Sequence, residues 1–210
     1  MKKAVVFLFT FFVLFNGFCG EVADRFERAN AYVKAQDYDA AIKEYQEIIK
    51  INPRHSVAYL QLGLIYGLKK EYNKAADCYR KVIKLNPTSF SAYYNLALIL
   101  AANSDYKGAI RYFMKAKAIN PKSHMVYYGL GLVYSSLRDY KSAIRVLKKC
   151  ININPNYLDA YVALGGAYFR MGDKAAALKE VKRLRSLGRE DYAQALLNWI
   201  NENERKIIKR

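Results

Sequence analysis

The sequence predicts an all-α protein, an α-solenoid in which helix pairs repeat along the chain. The main observation is a set of four Asn-Pro pairs spaced 34 residues apart: Asn52-Pro53, Asn86-Pro87, Asn120-Pro121 and Asn154-Pro155. Proline lacks an amide donor and disfavours helical angles in the residue before it, and Asn tolerates the left-handed conformation that often closes a helix. Each pair is therefore predicted to end a helix and turn the chain.

The period divides the chain into five units, at 22–55, 56–89, 90–123, 124–157 and 158–191. The predicted helix pairs are 22–35 with 38–51, 56–69 with 72–85, 90–103 with 106–119, 124–137 with 140–153, and 158–171 with 174–186. An acidic residue stands between the helices of every unit: Asp37, Glu71, Asp105, Asp139 and Asp173. We expect all five to cap the second helix, because its free amides attract a negative group.

Residue types recur at fixed positions within the units. The recurring positions hold Tyr59, Tyr93, Tyr127 and Tyr161; Leu62, Leu96, Leu130 and Leu164; Gly63, Ala97, Gly131 and Gly165; and Ala41, Ala75, Ala109, Ala143 and Ala177. This pattern resembles the tetratricopeptide repeat (TPR) family, in particular its exported bacterial members. The resemblance implies a right-handed α-solenoid of about five helix pairs spanning 22–189, closed by a C-terminal capping helix at 190–210.

The two end units depart from this pattern. Unit one has Arg25 and Arg28 where the tyrosine and leucine recur, and unit five has Arg189 in place of proline. Gly188 precedes Arg189, and a glycine at positive φ can also stop a helix.

Residues 1–19 differ in kind from the rest of the chain. Lys2 and Lys3 precede an apolar run over 4–18, and small residues follow. This pattern is typical of a secretory signal peptide and predicts export to the periplasm or cell envelope. A retained membrane anchor and a lipoprotein acylated at Cys19 are the alternatives.

Catalytic chemistry has no recognisable carrier in this sequence. His55 and His124 have no partner at metal-ligand spacing, and no serine or cysteine has a recognisable base. The glycine pairs Gly129-Gly131 and Gly165-Gly166 are interpreted as sites of close helix packing. Cys78 and Cys150 lie too far apart in the repeat for a disulfide. The sequence therefore predicts a protein that is not an enzyme and holds neither metal nor cofactor.

The first helices of units two and three are apolar nearly all round, which requires cover on more than one side. The family resemblance implies that the excess apolar positions line a concave groove for a partner protein or peptide segment. The predicted groove residues are Asn30, Leu60, Leu64, Tyr94, Asn95, Leu98, Tyr128, Leu132 and Phe169. The basic clamp with which some TPR grooves bind carboxylates is absent. The alternatives are that these residues fill a tight inner wall, or that they join copies of the chain into a homo-oligomer.

The second helices carry a predicted basic face. Its residues are Arg80, Lys81, Arg111, Lys115, Arg145, Lys148, Lys149, Lys179, Lys182 and Arg183, in a protein of formal net charge +17. Such a face suits an anionic membrane surface or an acidic envelope polymer. Nucleic acid is the least expected partner, because the chain is predicted to be exported and no aromatic side chains are expected on this face to stack bases. A solvated face without a fixed partner is the alternative.

Overall fold

The computed structural model describes residues 20–208, and this part of the chain is helical with no strand. Helix α1 spans 20–34. The others are α2 (Tyr38–Ile51), α3 (Ser56–Leu68), α4 (Tyr72–Leu85), α5 (Phe90–Ala102), α6 (Tyr106–Ile119), α7 (His124–Ser136), α8 (Tyr140–Ile153), α9 (Leu158–Arg170), α10 (Lys174–Ser186) and α11 (Glu190–Ile208). The predicted helix pairs are confirmed to within a residue or two. The signal peptide predicted at 1–19 lies outside the described residues.

Four of the five acidic residues between paired helices cap the second helix as predicted. The carboxylates of Asp37, Asp105, Asp139 and Asp173 accept hydrogen bonds from the amides of Ala40, Gly108, Ser142 and Ala176. The prediction is wrong for Glu71, whose side chain makes no capping bond. The longer glutamate side chain instead pairs with Lys74 at 2.6 Å.

Each Asn-Pro pair directly follows the last residue of a helix, which confirms that these pairs end helices. The four Asn residues have φ between −137° and −129°, so none of them is left-handed. The following proline crowds the Asn backbone and holds it near extended angles. Each Asn side chain instead accepts the amide two residues on, for example that of Arg54 on Asn52 at 3.0 Å, as in an Asx turn.

Left-handed residues occur elsewhere, in the short turns inside the units. They are Gln36, Lys70, Ser104, Arg138 and Gly172. Gly188, before the last helix, has φ of 72°, which confirms the positive φ predicted for it.

The chain divides into two compact units, the first ending at Ile99 and the second beginning at Leu100. In the first, Tyr45, Ile48, Ile65, Tyr79 and Leu96 are almost fully buried. A Cβ on Gly63 would lie 2.7 Å from the Tyr79 ring, so glycine is needed for this close approach of α3 and α4. The recurring small residue is therefore a packing position, as predicted.

The second compact unit has its own apolar core, to which α8, α9, α10 and α11 contribute. Leu147, Leu164, Leu184, Leu196 and Ile200 are among its most buried members. The last two lie on α11, which packs against α9 and α10. Helix α11 thus closes the end of the repeat array, as predicted for the capping helix.

Arg25 and Arg28, which break the repeat pattern in α1, are accounted for by a carboxylate on α2. The carboxylate of Glu44 forms ion pairs with Arg25 at 3.1 Å and with Arg28 at 3.2 Å. These two guanidinium groups hold the pKa of Glu44 below its usual value against the opposing effect of burial.

In the described residues no helix has the length and apolar character needed to cross a bilayer.

Candidate binding surfaces

The predicted groove residues of the first compact unit include two exposed leucines. Leu64 on α3 and Leu98 on α5 are 40% and 39% exposed. Leu60, Tyr94 and Asn95 are half-buried beside them on the same helices. Asn30 is engaged inside the fold, because its Oδ1 accepts a hydrogen bond of 2.6 Å from the hydroxyl of Tyr45.

The predicted groove residues of the second compact unit are covered to different degrees. Leu132 on α7 is 42% exposed. Tyr128 packs edge-on against Tyr157, with ring centroids 5.0 Å apart. Phe169 packs in the same manner against Trp199, at 5.6 Å. Leu132 therefore offers the open apolar surface among these residues.

Beside Leu132 lies a small apolar depression, the C-terminal pocket, with a volume of about 220 Å³. Its lining residues are Leu132, Ser135, Val162, Ala163, Gly166, Ala167, Arg170, Leu196 and Trp199. Trp199 comes from α11, and the guanidinium of Arg170 lies 5.4 Å from its ring centroid. Trp199 lies in the predicted capping helix and is not among the predicted groove residues.

Gly166 has a different role from the packing role that the sequence predicts. A Cβ on Gly166 would meet only Trp199, at 3.8 Å, which is an ordinary contact distance. At the same repeat position the preceding units hold Leu64, Leu98 and Leu132. The absence of a side chain at Gly166 leaves the C-terminal pocket open above the indole ring.

The predicted basic face is largely exposed. Arg80, Arg111, Lys115, Arg145, Lys148, Lys149, Lys179, Lys182 and Arg183 are exposed, and Lys81 is half-buried. Arg80 pairs with Asp77 at 2.8 Å. None of the other predicted residues of this face forms an ion pair with a carboxylate of the described residues.

The tyrosine rings next to this face are half-buried or, for Tyr161, only 2% exposed. Cations stand over four tyrosine rings, in the pairs Lys81 with Tyr59, Arg111 with Tyr112, Lys148 with Tyr168, and Arg183 with Tyr161. A cation over a ring face is attracted by the ring quadrupole. These four rings are thereby covered by the protein's own cations.

A second depression, the side cleft, lies between α6, α7 and α8 and has a volume of about 450 Å³. Its lining residues are Met114, Lys117, Tyr127, Leu130, Tyr134, Arg145, Val146, Lys148, Lys149 and Asn152. Three of them, Arg145, Lys148 and Lys149, belong to the predicted basic face. Lys117 and the two tyrosines are not among the residues that the sequence predicts for a binding surface.

The groups that could carry chemistry have structural roles in this fold. His55 caps α3, its Nδ1 accepting the amide of Ala58 at 3.1 Å. The Cys78 and Cys150 thiols are free, and burial raises the pKa of both to about 11, which leaves little reactive thiolate at neutral pH. No group of acidic, cysteine or histidine side chains within residues 20–208 is arranged to hold a metal ion.

Sequence profiles of the tetratricopeptide repeat match residues 29–70, 56–89, 78–111 and 136–200. A crystal structure of MamA protein is 30% identical, with a TM-score of 0.73, over 81% of this chain and 92% of that one. The chain belongs to the tetratricopeptide repeat family. The predicted fold class, an α-solenoid of about five helix pairs with a capping helix, is confirmed by these matches and by the eleven helices seen within residues 20–208.

Two more distant TPR structures share this fold. MamA from Desulfovibrio magneticus RS-1 is 21% identical, with a TM-score of 0.76, over 80% of this chain and 96% of that one. YrrB is described as a TPR protein with an unusual peptide-binding site. It is 18% identical, with a TM-score of 0.67, over 83% of this chain and 90% of that one. No curated protein sequence matches the chain. Proteins of this family generally act as non-catalytic scaffolds that bind other proteins.

Proposed function

We propose that this TPR protein is a non-catalytic scaffold of the cell envelope whose concave surface binds an apolar segment of a partner protein. The observation that carries the proposal is a leucine at one repeat position in three successive units. Leu64, Leu98 and Leu132 are 40%, 39% and 42% exposed. Repeat packing uses other positions, such as the buried Leu62 and Leu130, so a partner is the simplest reason to keep these leucines.

The C-terminal pocket supports the proposal and defines the chemistry of the partner. Leu132, Val162 and Trp199 give it apolar walls, and its volume of about 220 Å³ suits one large side chain. Arg170 and Ser135 are polar residues at its edge. We therefore expect a partner segment that places one large apolar side chain against the indole ring.

The envelope location rests on the signal-peptide pattern of residues 1–19 and remains part of the proposal. Peptide binding accords with the description of YrrB, which has the same fold. N-terminal sequencing of the protein isolated from its native envelope tests the location. A chain that begins near residue 20 supports export, an acylated Cys19 supports the lipoprotein alternative, and a retained Met1 supports the anchor.

The groove is tested by selecting peptides from a displayed library on the chain from residue 20 onward, followed by calorimetric titration. The decisive variant is Gly166→Leu, which restores the leucine of the other units and fills the C-terminal pocket. Its matched control is Gly166→Ala, whose Cβ would contact Trp199 at 3.8 Å without filling the space. We expect Gly166→Leu to weaken binding by tenfold or more and Gly166→Ala to bind like the natural protein.

The leucines of the first compact unit are tested with a second pair of variants. Leu98→Ser removes a leucine that is 39% exposed. Leu137→Ser removes one that is 44% exposed but directly follows the last residue of α7, outside the predicted groove. Full burial of a leucine contributes about 1.5–3 kcal/mol, so covering the remaining exposed part contributes roughly 1 kcal/mol, or about fivefold in affinity.

Several outcomes would contradict the proposal. One such outcome is equal peptide affinity of Gly166→Leu and Gly166→Ala, together with equal affinity of Leu98→Ser and Leu137→Ser. It would show that the predicted groove residues only fill an inner wall of the fold and bind no partner. A natural protein that sediments as an oligomer, and turns monomeric only in Leu98→Ser, would assign the surface to homo-oligomer formation.

A further inference from the structure

The side cleft combines an apolar floor with cations on two sides. The floor consists of Leu130 on α7, which is 2% exposed, and Met114 on α6, which is 44% exposed. Lys117 lines the cleft from α6, and Arg145 and Lys149 line it from α8. Positive charge therefore flanks an apolar surface that is open to solvent.

Two residues of this cleft break the repeat pattern. Lys117 stands where units one, two and four have Ile49, Ile83 and Ile151 and where unit five has Arg185. Met114 stands where the other units have polar or basic residues: Gln46, Arg80, Lys148 and Lys182. A lysine has replaced an apolar residue and a methionine has replaced a polar one, three residues apart on one helix. Repeat packing requires neither exchange, and both side chains line the same cleft.

No cation of the side cleft forms a salt bridge within the described part of the chain, although Arg145 lies near Asp139 and Lys148 near Glu180. Lys117, Arg145 and Lys149 form no ion pair there. Lys148 is positioned over the ring of Tyr168, at 5.6 Å. Residues 100–210 hold 21 Lys and Arg against 9 Asp and Glu. The surroundings of the cleft therefore attract a negatively charged ligand.

We propose that the side cleft is a second binding site, which takes an acidic peptide segment carrying one large apolar side chain. The apolar side chain packs on Met114 and Leu130, and flanking carboxylates pair with Lys117, Arg145 and Lys149. Methionine suits this role because its flexible thioether adapts to different apolar groups. A peptide fits better than a membrane surface, because head groups contact protruding cations and would leave the recessed floor empty.

The probe for this site is a short fluorescein-labelled peptide with Asp and Glu on both sides of a central Phe, measured by fluorescence anisotropy at low salt. Lys117→Ile introduces the isoleucine of the equivalent positions, so we expect it to fold. Its matched control, Lys182→Ile, removes the same charge from an exposed position of α10 outside the cleft. We expect about a tenfold loss of affinity for Lys117→Ile and less than a twofold loss for Lys182→Ile.

A second comparison separates the site from general charge attraction. Met114→Lys adds a positive charge and removes part of the apolar floor. If the cleft binds the Phe side chain, Met114→Lys lowers the affinity for this peptide. Replacing the Phe of the peptide by Ser then lowers its affinity for the natural protein to a similar degree. If attraction is only electrostatic, Met114→Lys strengthens binding, and this result overturns the proposal.

The remaining outcomes are equally decisive. Equal losses for Lys117→Ile and Lys182→Ile would show binding to the whole basic face and contradict a defined cleft. Binding to phosphatidylglycerol vesicles, but not to the peptide, would assign the face to a membrane surface instead. The site is independent of the concave groove, so Gly166→Leu is expected to bind the acidic peptide with unchanged affinity.

Discussion

Two glycines in the second compact unit are expected to differ in how the same substitution changes the stability of the fold. Gly131 lies in α7 and Gly166 in α9. Replacing either with alanine gains about 1 kcal/mol of helix propensity. A Cβ at Gly131 would lie 2.6 Å from Cγ and from Cδ2 of Leu147, whereas at Gly166 the nearest atom is 3.8 Å away.

The difference decides the sign of the change in stability. Leu147 is fully buried, so it has no free space into which to move. Overpacking of this kind costs about 1–3 kcal/mol, which cancels or exceeds the gain in helix propensity. Gly131→Ala is therefore expected to leave stability unchanged or lower it by up to about 2 kcal/mol. Gly166→Ala is expected to raise stability by up to about 1 kcal/mol.

Urea unfolding followed by far-ultraviolet circular dichroism measures both variants against the natural protein. The two midpoints should shift apart, with that of Gly166→Ala the higher. The slope of the unfolding free energy against urea concentration should stay the same in both variants if the unfolding transition keeps its cooperativity. A Gly131→Ala protein as stable as Gly166→Ala would show that the close contact of α7 and α8 is not limiting.

Two further predictions concern the acidic residues of the fold. Asp173→Ala should lower the free energy of unfolding by about 1 kcal/mol because it removes a helix cap. Glu71→Ala should lower it by less, because Glu71 makes no capping bond. Thermal unfolding compares the two variants, and an equal loss of stability in both would contradict this prediction. Glu180 is 8% exposed, Oε2 of its carboxylate has no hydrogen-bond partner, and burial raises its pKa despite the nearby Arg183 and Lys148. Because its folded pKa lies above the unfolded value, ionisation of Glu180 destabilises the fold as pH rises through that window, so Glu180→Gln should be more stable at pH 7 and should lose this part of the pH dependence of unfolding. A pH series of melting curves checks this, and a less stable Gln variant at pH 7 would mean that the carboxylate is paired in solution.

Helix positions follow from the sequence because they depend on local groups. The Asn-Pro pairs end helices through the missing amide of proline, and the acidic residues begin them through the amides three residues on. The 34-residue period extends these signals along the chain, and the small residues at Gly63 and Gly131 mark where paired helices approach closely. The all-α repeat fold is therefore encoded locally and was predictable.

The binding surfaces depend on residues that are distant in sequence and required the tertiary structure. Trp199 meets Gly166 only because α11 packs against α9, and the side cleft forms only where α6, α7 and α8 come together. Even the conformation of the Asn residues was decided by crowding from the next residue rather than by their own preference. A repeat pattern fixes which faces of a helix pack against its neighbours. The side chains brought together on the remaining faces are set by contacts between helices, which no single window of the sequence contains.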